Sequence, residues 1–334
     1  MLCAEPRFAG RARAPWLMNR FPEPPKDEYP IVYLADTDRD LPEKINVRTR
    51  YVYFKTIARG GKSIIQSCKD LHLSRVVCYK LLRPEFKDDE IEQKRFLREA
   101  RVTAMLQHPN IVPTYELGRD PRGHYYFTMK LVHGYTLREI FNYRERYDFS
   151  QLIDVIIQVA RALEYAHSHG VAHRDVKPEN ILVGPFGEVL LLDWGLAKVW
   201  NPEGADTPGD EKPAVSSVGG VDSSITGQGN LQGTATYMSP EQVRGDADID
   251  HRTDVYTLGA VLYELLSGQA LVKSETVAEA LHEIVNSSPI APSVAAPWEV
   301  PGRLDELCMG CIVKDRSHRI QTAGELIREI QSGW

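Results

Sequence analysis

The spacing of hydrophobic positions changes character near residue 135. Between residues 51 and 131 apolar, β-branched and aromatic residues come in short runs, at 51–57, 63–67, 75–82, 111–117 and 125–131, the length and composition expected of strands. One stretch inside this region keeps the helical period instead. Ile91, Phe96, Leu97, Val102, Met105 and Leu106 place one apolar stripe on a helix over 87–106, and His108-Pro109-Asn110 then breaks the chain. After Gly134 helical spacing dominates, at 137–146, 150–169, 239–244, 254–267, 276–286, 302–312 and 322–331, with two short apolar strands at 181–183 and 189–192. This order predicts an α+β chain, a small β-rich part with one long helix followed by a larger helical part, without internal repeats.

Residues 1–47 do not share the pattern. Four arginines (Arg7, Arg11, Arg13, Arg20) against Glu5 precede a run dominated by Glu23, Asp27, Glu28, Asp36, Asp38, Asp40 and Glu43, and four prolines fall between Pro22 and Pro30. Such a stretch has too little apolar surface to offset the entropy of ordering, so a largely flexible extension is expected. A docking or autoregulatory tail is the functional alternative, and Ile31-Val32-Tyr33-Leu34 is expected to pack as an extra strand. Over the whole chain the composition, 43% hydrophobic and 26% charged, is that of a soluble globular chain with material for a large core. A net charge of −6 gives no general attraction to nucleic acid or anionic membrane. Five cysteines do not make a disulfide framework at this length. The longest apolar helix pattern, 152–163, is interrupted by Asp154, Gln158 and Arg161, so no spanning helix is expected, and the N-terminus lacks a signal-peptide core. A cytoplasmic location and no sensor domain beyond the last helix are the expectations. Cys308 and Cys311 form a CxxC pair without a second pair, and are read as buried helical packing rather than as a zinc site. His167 and His169 are read as capping or packing the helix before the next loop.

Residues 173–180 read His-Arg-Asp-Val-Lys-Pro-Glu-Asn and lie between a predicted helix end with a Gly170 cap and a short buried strand. Within one loop they place a carboxylate (Asp175), a cation (Lys177) and a carboxamide oxygen (Asn180). Phosphoryl transfer asks for this set: an acceptor for the incoming hydroxyl's proton, a charge near the moving phosphate, and a hard oxygen for magnesium. Gly61-Lys62-Ser63 imitates the end of a Walker A loop, but Thr56 stands where that motif needs glycine and a strand pattern follows in place of a helix, so the reading is rejected.

In this setting the octapeptide resembles the catalytic loop of the protein kinase family, and the resemblance runs from about residue 48 to the C-terminus. It implies a two-lobed fold, with an N-lobe of about 48–131 and a C-lobe of about 132–334, and ATP in the cleft between them. Val77-Cys78-Tyr79-Lys80 is similar to the third-strand motif, so Cys78 would lie over the adenine and Lys80 would hold the α- and β-phosphates, paired with Glu99 of the next helix. Residues 58–65 stand at the glycine-rich loop. Gly60 keeps the middle glycine while Ala58 and Ser63 replace the first and last, a change expected to stiffen the loop, and Ile65 closes the motif. Met129 matches the back of the adenine pocket, and the backbone of Lys130 and Val132 would bond the adenine edge. Asp193-Trp194-Gly195 matches the magnesium motif with Trp for Phe, giving Asp193 and Asn180 as the metal ligands. Trp194 is expected in a column with His173, with small Thr103 and Thr114 making room for the indole.

The segment from Asp193 to Glu241 is long for the family and rich in Gly, Pro, Ser and Thr, with Ser216, Ser217, Ser223, Ser224 and Thr226 as candidate phosphosites and Arg174 as a partner for a phosphate there. Residues 233–242 are similar to the end of this segment in bacterial serine/threonine kinases. Thr234 would contact Asp175 and Lys177, Glu241 would pair with Arg319, and Asp254 would anchor the catalytic-loop backbone. The implied activity is transfer of the ATP γ-phosphate, with Mg²⁺, to Ser/Thr hydroxyls of proteins, including self-association for autophosphorylation in trans. The alternative is a pseudokinase acting as a scaffold or allosteric partner, which the depleted glycines and Trp194 favour and the full set of Lys80, Glu99, Asp175, Asn180 and Asp193 opposes.

Overall fold

A computed structural model describes residues 50–144, 147–200, 235–274 and 276–334. The 1–47 extension with residues 31–34, the candidate phosphosites at 216–226, and Thr234 lie outside the described residues. The first part is a five-stranded antiparallel sheet in the order β1-β2-β3-β5-β4, made of β1 (Tyr51–Arg59), β2 (Ser63–Asp70), β3 (Arg75–Leu82), β4 (Thr114–Arg119) and β5 (Tyr125–Lys130). The helix α1 (Glu90–Met105) is started by Asp89, whose carboxylate accepts the amides of Ile91 and Glu92. Phe96 and Ala100 of α1 pack with Leu82 and Phe127 on one sheet face. On the other face Tyr51, Cys68, Val77, Tyr79 and Tyr126 form a second small core. Arg50 closes the edge of that core, bidentate to Asp70 and bonded to Glu116.

The C-terminal part is largely helical. Its centre is α3 (Phe149–Ser168), preceded by β6 (Tyr135–Thr136) and α2 (Leu137–Phe141). Then come β7 (Val171–Ala172), β8 (Ile181–Val183), β9 (Val189–Leu191), β10 (Lys198–Val199), α4 (Pro240–Arg244), α5 (Arg252–Ser267), α6 (Val277–Asn286), α7 (Pro292–Ala295), α8 (Gly302–Cys311) and α9 (Ala323–Gln331). One continuous core joins α3, α5, α8 and α9. Cys308 and Cys311 are buried between α8 and α5, and a Cβ at Gly259 of α5 would lie 2.4 Å from that of Cys311, so the two helices meet at backbone contact.

Several boundaries differ from the sequence pattern, each for a local reason. Residues 84–86 turn as a separate 3₁₀ segment, so α1 starts at Glu90 rather than 87. Ile111 leaves the sheet and makes a single parallel bridge to Leu191, which ties the two parts together and delays β4 to Thr114. The helix expected over 137–146 stops at Phe141, and Arg144 instead donates to the Leu265 carbonyl and lies 4.2 Å over the Trp298 ring. Strands of two residues (β6, β7, β10) and the four-residue α7 are too short to carry any period.

Candidate active site

The catalytic loop leaves β7 and enters β8 through a 3₁₀ turn, Pro178–Asn180. Its shape is set from below by Asp254, fully buried on α5. The Asp254 carboxylate accepts the backbone amides of His173 (2.8 Å) and Arg174 (2.7 Å) and bonds His167 Nε2 (2.8 Å). Burial pushes its pKa up, but His167, His173 and the backbone donors outweigh that and hold it below the ordinary value. Arg174 has φ 68°, a left-handed conformation that costs a non-glycine residue about 1–2 kcal/mol, so the loop needs this anchor. The amide of Asp175 donates to His173 Nδ1 (3.1 Å), which leaves Nε2–H to donate to the Leu192 carbonyl (3.0 Å). The imidazole thus connects the loop to the strand end that carries Asp193.

Six side chains make up the polar centre above this frame. Lys177 Nζ contacts both Asp175 oxygens (2.9 and 2.8 Å). Asn180 Nδ2 donates to the Asp175 carbonyl (2.8 Å) and to its Oδ2 (2.9 Å). Burial raises the Asp175 pKa and Asp193 adds to it, against the pull of Lys177. Asp193, at φ 61°, accepts among the described residues only a long bond from the Gly195 amide (3.3 Å). Its pKa is pushed up by burial but lowered overall by Lys80 and Lys177. Lys80 is buried under β3 and reaches Glu99 of α1 at 2.5 Å. Burial would release its proton, but Glu99 and Asp193 outweigh it and keep the ammonium charged.

The remaining expected contacts sit around this centre. Ala58 and Ser63 are inside strands, paired with Ile65 and Leu82, so only residues 60–62 form the turn. Its Gly60 amide donates to Ser63 O (2.9 Å), and a Cβ at Gly61 would meet nothing within 4 Å. Cys78 is paired across the sheet with Met129, and Lys130 with Val77. The Lys130 amide is used by Pro113 O (3.1 Å). Trp194 is fully buried, edge-on to His173 at 4.6 Å. Thr103 is buried and donates to the Glu99 carbonyl (2.7 Å), while the Thr114 hydroxyl and Trp194 Nε1 are buried without a hydrogen-bond partner among the described residues. Glu241 and Arg319 pair at 2.7 and 3.1 Å, both almost fully buried.

Residues 51–330 match the family described as protein kinase domain. The chain belongs to the protein kinase family. It is 36% identical over 302 residues to serine/threonine-protein kinase PknD of Protochlamydia amoebophila, covering 84% of this chain and 30% of that protein. It is 35% identical over 280 residues to serine/threonine-protein kinase PknB of Mycobacterium tuberculosis, covering 83% of this chain and 42% of that protein. A probable serine/threonine-protein kinase of Clostridium acetobutylicum is 33% identical, with 85% and 40% covered. The chain therefore spans well under half the length of these curated relatives. No helix among the described residues is long and apolar enough to cross a membrane.

Three features of this kinase fold carry no readable sequence signal. Lys62 of the turn pairs with Glu92 on α1 at 2.6 Å, fastening the loop to the helix that carries Glu99. Arg138 of α2 bonds Glu179 of the catalytic loop (2.7 Å) and Glu264 (2.5 Å) and also meets Tyr237. The Gln242 side chain donates to the Arg174 carbonyl (2.7 Å), fixing α4 to the loop. Each joins residues far apart in the chain whose types are common on helix faces.

Trp194→Phe is expected to lower stability by about 1 kcal/mol. The lost benzo ring leaves a void of roughly 40 Å³ at about 24 cal/mol per Å³. Thermal or denaturant unfolding measures it, and an unchanged midpoint would show that the indole is not filling a site shaped for it.

Proposed function

We propose that the chain is a protein serine/threonine kinase that transfers the γ-phosphate of Mg-ATP to Ser or Thr hydroxyls of proteins, its own activation segment among them. The observation that carries this is that Asp193 feels both Lys177 of the Asp175–Lys177–Asn180 cluster and Lys80 of the Lys80–Glu99 pair. The residues present suit the nucleotide and its metal. Asn180 spends its amide hydrogens on Asp175, which leaves its side-chain oxygen as an acceptor; with the carboxylate of Asp193 it would offer the hard oxygens magnesium prefers. The charged ammonium of Lys80 is positioned for the α- and β-phosphates. Cys78 and Ile65 would cover the adenine, with Ala58, Gly60 and Ser63 along the phosphates. Met129 would back the base, and the Lys130 carbonyl and Val132 backbone would bond its edge. Bound Mg²⁺ would neutralise charge on the phosphate oxygens.

Asp175 would orient the acceptor hydroxyl and take its proton. Lys177, held against both Asp175 oxygens, would stand next to the phosphate in transit, and His173 and Asn180 would keep the carboxylate in line. The preference for Ser/Thr over Tyr acceptors rests on Lys177 in the loop and on the likeness to the bacterial enzymes. The test is incubation of purified protein with Mg-ATP followed by intact mass and site mapping. Added phosphate in the 216–226 region supports an active, self-phosphorylating kinase. Failure to bind Mg-ATP would support the scaffold reading, for which the strand-bound Ala58 and Ser63 are the physical ground.

The raised Asp175 pKa sets a pH dependence. The base works only when deprotonated, so transfer falls as pH drops through its pKa. The acid limb of kcat/KM is expected above the ordinary aspartate value of about 3.9. Rates on a peptide acceptor across the acid range measure it. A limb at or below the ordinary value would remove Asp175 as the titrating base.

A further inference from the structure

On the far side of α4 from the catalytic loop lies a cavity of about 380 Å³ lined by Glu241, Arg244, Asp246, Lys314, Asp315 and Arg316. Every lining residue is charged, and their bonding is unequal. Glu241 is consumed by Arg319. Asp315 accepts the Ser317 amide (2.9 Å) and hydroxyl (2.7 Å) and bonds His318. Arg316 is paired with Asp248 and donates to its carbonyl. Arg244 and Lys314 differ: neither has a carboxylate at ion-pair distance among the described residues. The Lys314 ammonium donates to the Tyr256 hydroxyl (3.2 Å) and sits 5.6 Å from that ring's centre, neutral contacts in place of an ion pair. Burial lowers the Lys314 pKa; Glu283 pulls the other way, and the cations Arg319 and Arg244 add to the lowering. Two like charges held together at one cavity are the electrostatic complement of an anion.

We propose that this cavity binds a phosphate group, with Arg244 and Lys314 as its charge partners. The volume exceeds that of a bare phosphate and leaves room for the residues of a peptide carrying phosphoserine or phosphothreonine. Asp246 and Asp315 border the same space and oppose the anion, which keeps the site weak and reversible. Glu241 lines the cavity and also holds Arg319, so an occupant sits against the ion pair that seats the start of α4.

The test is calorimetric titration of the nucleotide-free protein at low salt with inorganic phosphate, a phosphoserine peptide and its unphosphorylated twin. Wild type should bind the first two saturably, and the Arg244→Gln/Lys314→Met double variant at least about tenfold more weakly, the loss expected for a charge-assisted bond. Methionine keeps the apolar stem against Tyr256, and an unchanged melting point verifies the fold. Asp246→Asn should tighten binding about threefold, a gain that no folding defect imitates. A phosphopeptide tighter than phosphate identifies a phosphoprotein ligand, and equal affinity identifies the free anion. Affinity that survives in the double variant belongs to another cation site, the Lys80–Lys177 cleft included, and overturns the proposal. Equal binding of the unphosphorylated peptide also overturns it.

Discussion

Asp175→Asn is expected to lower phosphate transfer by about 10²–10⁴-fold while leaving the protein folded. Asparagine keeps the size and one acceptor oxygen but cannot take a proton at neutral pH, and general-base catalysis contributes on that scale. Stability should move the other way. A carboxylate whose folded pKa is raised favours its protonated form in the folded state, so at neutral pH its charge costs stability. A neutral amide removes that cost, against loss of the Lys177 contacts, and the melting point is expected to hold or rise slightly. Peptide phosphorylation and a thermal melt on the same preparations decide it. A variant retaining more than about a tenth of wild-type rate would show that the proton leaves by another route. A variant that melts far lower would show that Asp175 serves the fold and not the chemistry.

The order of β-rich and helical parts was legible because long periodic segments dominate it. α3, with eleven buried positions in twenty residues, and α5, buried along nearly its whole length, could hardly be anything else. The polar cluster at 173–180 stood out for a different reason: four specified polar types within eight positions leave little room for chance. The Glu241–Arg319 pair and the Asp254 anchor were also readable, because the resemblance aligned residues that the fold brings together. What stayed hidden depends on distance in the chain. Arg138, Glu179, Tyr237 and Glu264 meet from four elements, and none is unusual where it stands. Ile111 looked like strand because its apolar neighbours suit one, yet its single bridge to Leu191 is a tertiary choice. Ala58 read as a weakened loop position, and its place in β1 follows from sheet pairing that no local window contains, whereas Ser63 opens the strand run that the pattern predicts from 63.

Asp254→Ala is expected to remove activity and to destabilise the protein by about 3–5 kcal/mol, the cost of removing one partner from a buried charged network. Two backbone amides, of His173 and Arg174, and the His167 ring would lose their acceptor inside the core. The Gln242 side chain would still hold the Arg174 carbonyl, but with the carboxylate gone from the amides the left-handed loop would relax and carry Asp175 out of line. Because the folded pKa of Asp254 is depressed, its stabilisation is present above the ordinary carboxylate range and is lost as pH falls through the lower folded value. The stability gap between wild type and variant should therefore be widest near neutral pH and close only under strong acid. Asp254→Asn separates the roles. Its one oxygen can accept a single amide while its NH₂ opposes the other, so it should fold better than the alanine variant and still transfer phosphate poorly. Denaturant melts, with rates taken at a temperature where each variant is folded, measure both. An alanine variant within about 0.5 kcal/mol of wild type would mean that packing of β7 and β8, rather than the carboxylate, sets the loop.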